Sequence, residues 1–236
     1  MGEIKGDGSK SDGYQKIDLP KGGSVEVLGV DVSHYQGNVN WSELYELGYR
    51  FAYAKATDGA HGVDSMFQKH KAGAKAAGLL FGAYHFFRFP QDIPEQVKNF
   101  LTVAGTVEPG ELPHAIDAEW DRTSQKYCEG HEMDAEAADM IFTMATLVGH
   151  SIKMLPVIYT NAYFFNPGTR GSSFAQMPLW VPSYASKTIQ GVKIPKPWAS
   201  ANIWQYSEHL NIGGVSAIDG NKFQGSFEEL KALVKK

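Results

Sequence analysis

From Val25 onward, short apolar runs end in polar clusters, and apolar residues recur at helical spacing between several of them. "VEVLGVDVS" is rich in β-branched residues and closes on "HYQGN", while "YRFAYAKATDG" ends at Asp58-Gly59. "LLFGAYHFFRF", "LPHAIDAEW" and "MLPVIYTNA" follow, and "MPLWVPSY" and "ANIWQYS" complete the predicted strands. Helices are predicted between the early ones. Asp64-Ser65 can cap a helix that runs through Ala77 and stops at Gly78. Asp92 and Pro94 open another, with Val97, Phe100, Leu101 and Ala104 on one face and Gly105 at its end. The clearest runs from Met133 to Val148, its stripe formed by Ala137, Met140, Ile141, Met144, Ala145 and Val148. Ser226 with Glu229 makes a capping box for a closing helix.

Strands alternating with helices imply right-handed βαβ units and a parallel sheet. Repetition at this length favours an α/β fold of barrel type, with its site at the C-terminal ends of the strands. The last third departs from that rule. Residues 185–200 separate two strands, include Pro195 and Pro197, and are too few for a comfortable crossover helix. A helix-poor final third is expected.

Composition narrows the picture. The chain is 43% hydrophobic and carries a formal charge of −4 with both signs interspersed, so no basic stripe argues for nucleic acid. No run approaches the roughly 18 apolar residues of a membrane span, and no stable membrane association is expected. Residues 1–24, rich in Gly, Ser, Lys and Asp, read as a flexible leader without the apolar core of a secretory signal. Residues 25–236 then form a single domain. The lone Cys128 has no partner for a disulfide and no neighbouring cation to activate it. The histidines show no zinc spacing ("GHEMD" is no ligand set) and no nucleotide fingerprint occurs, so neither metal nor cofactor is expected.

"LPHAIDAEW" sets two carboxylates in a run that otherwise reads as buried strand. Alternation points Asp117 and Glu119 to one side, and Ile116, Ala118 and Trp120 to the other. Gathering the polar and aromatic residues at strand ends adds Asp31, Lys55, His85, Tyr159, Trp180, Tyr184, Trp204 and Gln205, with Asp219 in a loop after the last strand. Aromatic faces stack on sugar rings and carboxylates handle hydroxyls and glycosidic oxygens, a combination suited to glycoside hydrolysis. Close like charges raise one pKa, so one of the pair keeps a proton at neutral pH. Glu119 beside Trp120 is the candidate acid, and Asp117 the group that stays ionised. Lys55 and His85 read as supporting polar groups rather than catalysts. Turn capping by Asp31 and turn composition around Asp219 ("DGN") are the bland alternatives.

The motifs "GVDVSHYQG", "YAKATDG", "GAYHFFR", "DAEW", "PVIYTNAYFF", "LWVPSY", "WQYS" and "IDGNKF" occur in the order found in glycoside hydrolase family 25, the Chalaropsis-type lysozymes, which this sequence resembles from about Leu28 to Phe223. The resemblance implies a modified β/α barrel of five β/α units and three further strands. It also implies β-1,4-N-acetylmuramidase activity on bacterial peptidoglycan glycan strands, with net retention. By position, Glu119 resembles the family's general acid/base and Asp117 its partner, either a nucleophile or the group that orients the 2-acetamido arm. Asp31 and Asp219 resemble the acids that complete the pocket. Because Asp117 and Glu119 share a strand face, they are poorly placed to act from opposite sides of one sugar, which favours acetamido participation. Ala118 replaces a larger apolar residue, Asp58 stands where Glu is common, and Pro182 is unusual in its place. A monomer that acts on the cell wall, released through a holin or by another route, is expected. A chitinase-like hydrolase of N-acetylhexosamines and a non-catalytic glycan-binding barrel are the alternatives.

Overall fold

The computed structural model describes residues 26–122, 124–129 and 132–236. The expected leader lies outside them, as do Gly130 and His131 of "GHEMD" and the Cys128 side chain.

The elements in chain order are β1 (Val27–Val32), α1 (Trp41–Glu46), β2 (Tyr49–Asp58), β3 (Gly62–Val63), α2 (Phe67–Ala76), β4 (Leu80–Phe86), α3 (Ile93–Ala104) and β5 (Ala115–Asp117). They continue with β6 (Cys128–Glu129), β7 (Glu132–Met133), α4 (Ala135–Ile152), β8 (Val157–Tyr159), α5 (Gly171–Phe174), β9 (Leu179–Pro182), β10 (Ile203–Ile212), β11 (Val215–Phe223) and α6 (Phe227–Ala232). Neighbouring strands run β1-β2-β4-β5-β8-β9-β10-β11, and β11 returns to pair with β1, so the sheet closes into a barrel. The pairings are parallel except those of β11, which lies antiparallel to both β10 and β1. β3 extends β2 outside the barrel, and β6–β7 form a separate small ladder.

Local chemistry accounts for the helix ends. Asp92 accepts from Glu95 N at 2.9 Å, Pro94 supplies a preset φ in the first turn, and Gly105 at φ 79° ends α3. Asp134 caps α4 through Ala137 N at 2.8 Å, so this helix starts and ends later than the apolar stripe suggests. The Ser226–Glu229 capping box is formed. Asp64 does not cap α2 itself; its Oδ1 accepts from Met66 N at 2.9 Å, just before the helix begins.

Two apolar regions result. The outer one packs α2, α3 and α4 on the barrel wall, where Ala52, Ala54 and Ala56 of β2 leave room for helices to approach. The inner one fills the barrel's closed end with Val27, Phe51, Tyr53, Ala115, Val157, Ile203 and Phe223, and Leu230 of α6 plugs it together with Leu233 just after that helix. Glycine is required on the inner wall at two places. A Cβ on Gly29 would lie 2.3 Å from the Phe51 ring, and one on Gly82 would lie 2.3 Å from the Tyr53 ring.

The final third is helix-poor, as expected: β9 joins β10 with only a 3-10 turn at Ile189–Gly191 between them. One expectation is corrected. The segment placed in a loop after the last strand is β11, which closes the barrel, and Asp219 stands in it opposite Asp31. "DGN" reads as a turn by composition, but pairing on both edges holds it extended.

Candidate active site

At the open end of the barrel the inward positions become polar. Asp31 on β1 faces Asp219 on β11, Asp117 on β5 is level with Tyr159 on β8, and Tyr159 with Trp180 on β9. Together with Lys55, Tyr84, Phe86, Glu119 and Gln205 they surround a cavity of about 220 Å³. Its lip is the 3-10 turn His34–Gln36, where Ser33 N donates to Gln36 Oε1 at 2.8 Å and Gln36 Nε2 donates across to the Ala217 carbonyl at 3.0 Å. Tyr35 projects there, 82% exposed.

β5 ends at Asp117, yet Ala118 N still donates to the Tyr159 carbonyl at 2.9 Å, so the extended path continues and carries Glu119 into the same cavity. Asp117 is buried, and its Oδ1 has no hydrogen-bond partner among the described residues. Burial raises the pKa of both carboxyls, Asp117 the further; the Glu119 charge adds to that rise, and Lys55 opposes it for both. Burial weighs more heavily on Asp117 than on Glu119, so it favours Asp117 as the better proton holder of the two, whereas the sequence pointed to Glu119.

The other two acids are organised by amides and phenols. Asp31 Oδ2 accepts from Gln205 Nε2 at 2.8 Å and from Asn221 Nδ2 at 2.7 Å, and Asn221 Oδ1 in turn accepts from Trp180 Nε1 at 2.8 Å. Gln205 Oε1 takes the hydroxyls of Tyr159 at 2.8 Å and Tyr184 at 2.7 Å. Burial, then the Asp31 charge and a hydrogen bond to it, push Asp219 up to about 9. Burial also raises Asp31, while donors from three side chains favour its charged form, so of the two Asp219 is the better proton holder. The site therefore offers one carboxyl pair, Asp117 buried and Glu119 half-buried, and a second pair organised by hydrogen bonds.

The model of glycosyl hydrolases family 25 matches residues 30–215. The chain belongs to that family. This family-25 enzyme is a glycoside hydrolase on a modified β/α barrel. It is 33% identical over 213 residues to lysozyme M1 of Streptomyces globisporus, covering 88% of this chain and 71% of that one. Its fold matches a muramidase from Trichobolus zukalii with a TM-score of 0.78 at 33% identity, over 89% of this chain and 99% of the other. A family 25 lysozyme from Aspergillus fumigatus also gives 0.78, at 30% identity, over 90% and 100%.

The remaining expected site residues divide. Asp31, Asp117, Glu119, Asp219, Lys55, Tyr159, Trp180 and Gln205 of this family-25 barrel line the cavity, and Tyr184 reaches it through Gln205. Gln205 is spent on protein partners, so it positions the site rather than exposing a free amide. His85 and Trp204 are corrections. His85 sits on the outer face of β4, between Thr57 Oγ1 at 2.7 Å and Gln96 Oε1 at 3.1 Å, and burial lowers its pKa to about 4. Trp204 donates to the Ser183 carbonyl at 2.9 Å and lines another cavity, with Glu26 and Lys222. Each is adjacent on its strand to an inward residue, Tyr84 or Gln205, and so must face out. Tyr84, Phe86 and Asn221 were missed; each lies two residues from an inward neighbour, and that spacing was the available signal.

Proposed function

We propose that the enzyme is a lysozyme, a β-1,4-N-acetylmuramidase that cleaves the MurNAc–GlcNAc bond of bacterial peptidoglycan with net retention. The observation that carries this reading is the pairing of buried Asp117 with half-buried Glu119 in an acidic, aromatic-walled cavity. The lysozymes and muramidases among its relatives support the same substrate. In this reading residues 25–236 act as a single catalytic domain, as a monomer at the cell wall, with no membrane or nucleic-acid partner.

Glu119 is the general acid/base. As the sugar settles, its 2-acetamido N–H and the positive charge developing at the ring meet Asp117 and favour that carboxyl's ionised form. The shared proton then resides on Glu119, which gives it to the glycosidic oxygen as the C1–O bond breaks. The acetamido carbonyl oxygen attacks C1 from the opposite face and forms a cyclic oxazolinium, stabilised by Asp117. Water, deprotonated by Glu119, opens that ring, and two inversions give net retention. Asp31 holds a fixed negative charge beside the cationic intermediate.

Product analysis tests the reading. A borohydride-reduced digest of purified peptidoglycan is expected to contain reduced MurNAc ends; reduced GlcNAc ends would overturn the specificity. A trapped covalent ester between sugar and Asp117 would overturn the acetamido route.

A further inference from the structure

Lys55 is the only cationic side chain among the described residues lining the acidic cavity. It stands on the inward face of β2, after Phe51 and Tyr53, and shares the cavity with four carboxyls. Yet it forms no ion pair with Asp117 or Glu119. Its Nζ instead bonds Asp58 Oδ2 at 2.9 Å, within the same strand. Asp58 is itself gripped by Arg88, with Nε to Oδ1 at 2.6 Å and a terminal nitrogen to Oδ2 at 3.0 Å. Arg88 is also anchored on Asp121. The Phe86 ring lies under both cations, with Lys55 Nζ 4.6 Å and Arg88 Cζ 4.4 Å from its centroid. The ammonium is thus held beside the catalytic pair by groups that take no part in the chemistry.

Its distance matters because the pair must hold one proton. A buried carboxyl in direct contact with a cation favours its ionised form by about 1–3 pKa units, which would strip the acid of its proton near neutrality. With no cation nearby, burial would protonate both members, and no carboxylate would remain to stabilise the sugar. We propose that Asp58 restrains Lys55, and that this restraint holds the Asp117/Glu119 pair at one proton in the working pH range. The inference rests on the reading of that pair as catalytic.

The other groups facing the pair are Asp31 from β1, Tyr84 and Arg88 from β4 and the segment after it, Tyr159 from β8 and Asp219 from β11. Burial keeps both phenols and Asp219 protonated. Asp31 and Asp58 push the Asp117 pKa up, Lys55 pulls both members down, and Arg88 pulls on Glu119. Lys55 and Asp58 therefore act with opposite signs. Removing Asp58 deletes a negative charge and frees Lys55 to close on the pair, and both effects favour ionisation.

The test is the pH profile of kcat/KM on purified peptidoglycan, with melting curves to confirm folding. Asp58→Asn is expected to move both limbs to lower pH by about one unit, and Lys55→Met to move both to higher pH by about one unit. Asp58→Glu, which restores the carboxylate, is expected to return the limbs to their wild-type positions. A purely structural role would lower activity without opposed shifts. Shifts of the same sign, or unshifted limbs in folded variants, would overturn the inference. Should Lys55→Met fail to fold, Asp58→Asn against Asp58→Glu decides it: equal profiles overturn it. An active Glu119→Gln enzyme overturns both this inference and the catalytic reading; an inactive one with unshifted Lys55 and Asp58 variants overturns this inference alone.

Discussion

On β5, Ala115 lies toward the closed end of the barrel and Asp117 toward the open one; on β8 the corresponding pair is Val157 and Tyr159. On β10 it is Ile203 and Gln205, and on antiparallel β11 it is Phe223 and Asn221. Two residues on each strand separate an apolar plug from a polar pocket. At the plug, large side chains such as Phe51 and Phe223 are wholly enclosed, and each contributes about 1.5–3 kcal/mol by leaving water. At the pocket, Asp117 is enclosed without a partner for Oδ1, and burial pushes the carboxyls of Asp117 and Asp219 toward their protonated forms. The closed end stabilises the fold, and the open end holds ionisable groups away from their ordinary state.

The sharpest way to break this division is to change one residue at each end. Glu119→Gln is expected to lower kcat/KM by about a hundred- to ten-thousand-fold, the usual range for a lost general acid, with the melting temperature unchanged or raised. Phe223→Ala is expected to cost about 3–5 kcal/mol of stability in a denaturant titration, because α6 cannot collapse fully into the space. Its remaining folded fraction should keep a kcat close to wild type. If Phe223→Ala reduced kcat sharply while stability held, the two ends would not be separable.

A gentler test uses pH. Asp219 is raised from its ordinary 3.8 to about 9 by burial and by Asp31, so the folded protein keeps a proton that the unfolded chain releases. Its contribution is fully present below about pH 4 and is lost as pH climbs toward 9. The melting temperature should therefore decline from pH 5 to pH 9, and Asp219→Asn should flatten the decline. A wild-type slope in that variant would show that Asp219 is not the proton holder.

The same two-residue alternation explains how much of this was legible in the sequence. Asp117 and Glu119 were found because a strand places i and i+2 together, and Lys55 follows Phe51 and Tyr53 in the same way. His85 and Trp204 are polar or aromatic at a strand end, but their strand neighbours Tyr84 and Gln205 point inward, so both face out. β11 is hard to read as a strand because two of its inward residues, Asp219 and Asn221, are polar, and only Phe223 is apolar. A strand whose buried face serves a polar pocket lacks the apolar alternation that marks strands, and its "DGN" imitates a turn. The hydrogen bonds that spend Gln205 on Asp31, Tyr159 and Tyr184 join residues from β1, β8, β10 and the segment after β9, and no local pattern encodes such a junction.

The smallest expected effect concerns how the hairpin of β10 and β11 aims Asp219. Ala217 adopts φ 54°, a left-handed conformation, two residues before Asp219, where the β10–β11 register is irregular. Its carbonyl is the acceptor that Gln36 reaches from across the cavity lip. A left-handed conformation costs a residue with a Cβ about 1–2 kcal/mol. Glycine removes that cost but loses about 0.5–1 kcal/mol through greater freedom in the unfolded chain. The first term exceeds the second by a narrow margin, so Ala217→Gly is expected to stabilise the protein by about 0.5 kcal/mol, read as a small rise in melting temperature. Activity should be unchanged, because the backbone that carries Asp219 keeps its path. A fall in activity with a rise in stability would mean that the left-handed residue does more than turn the chain: the Cβ would be limiting the motion of the open end, and the aim of Asp219 would depend on it.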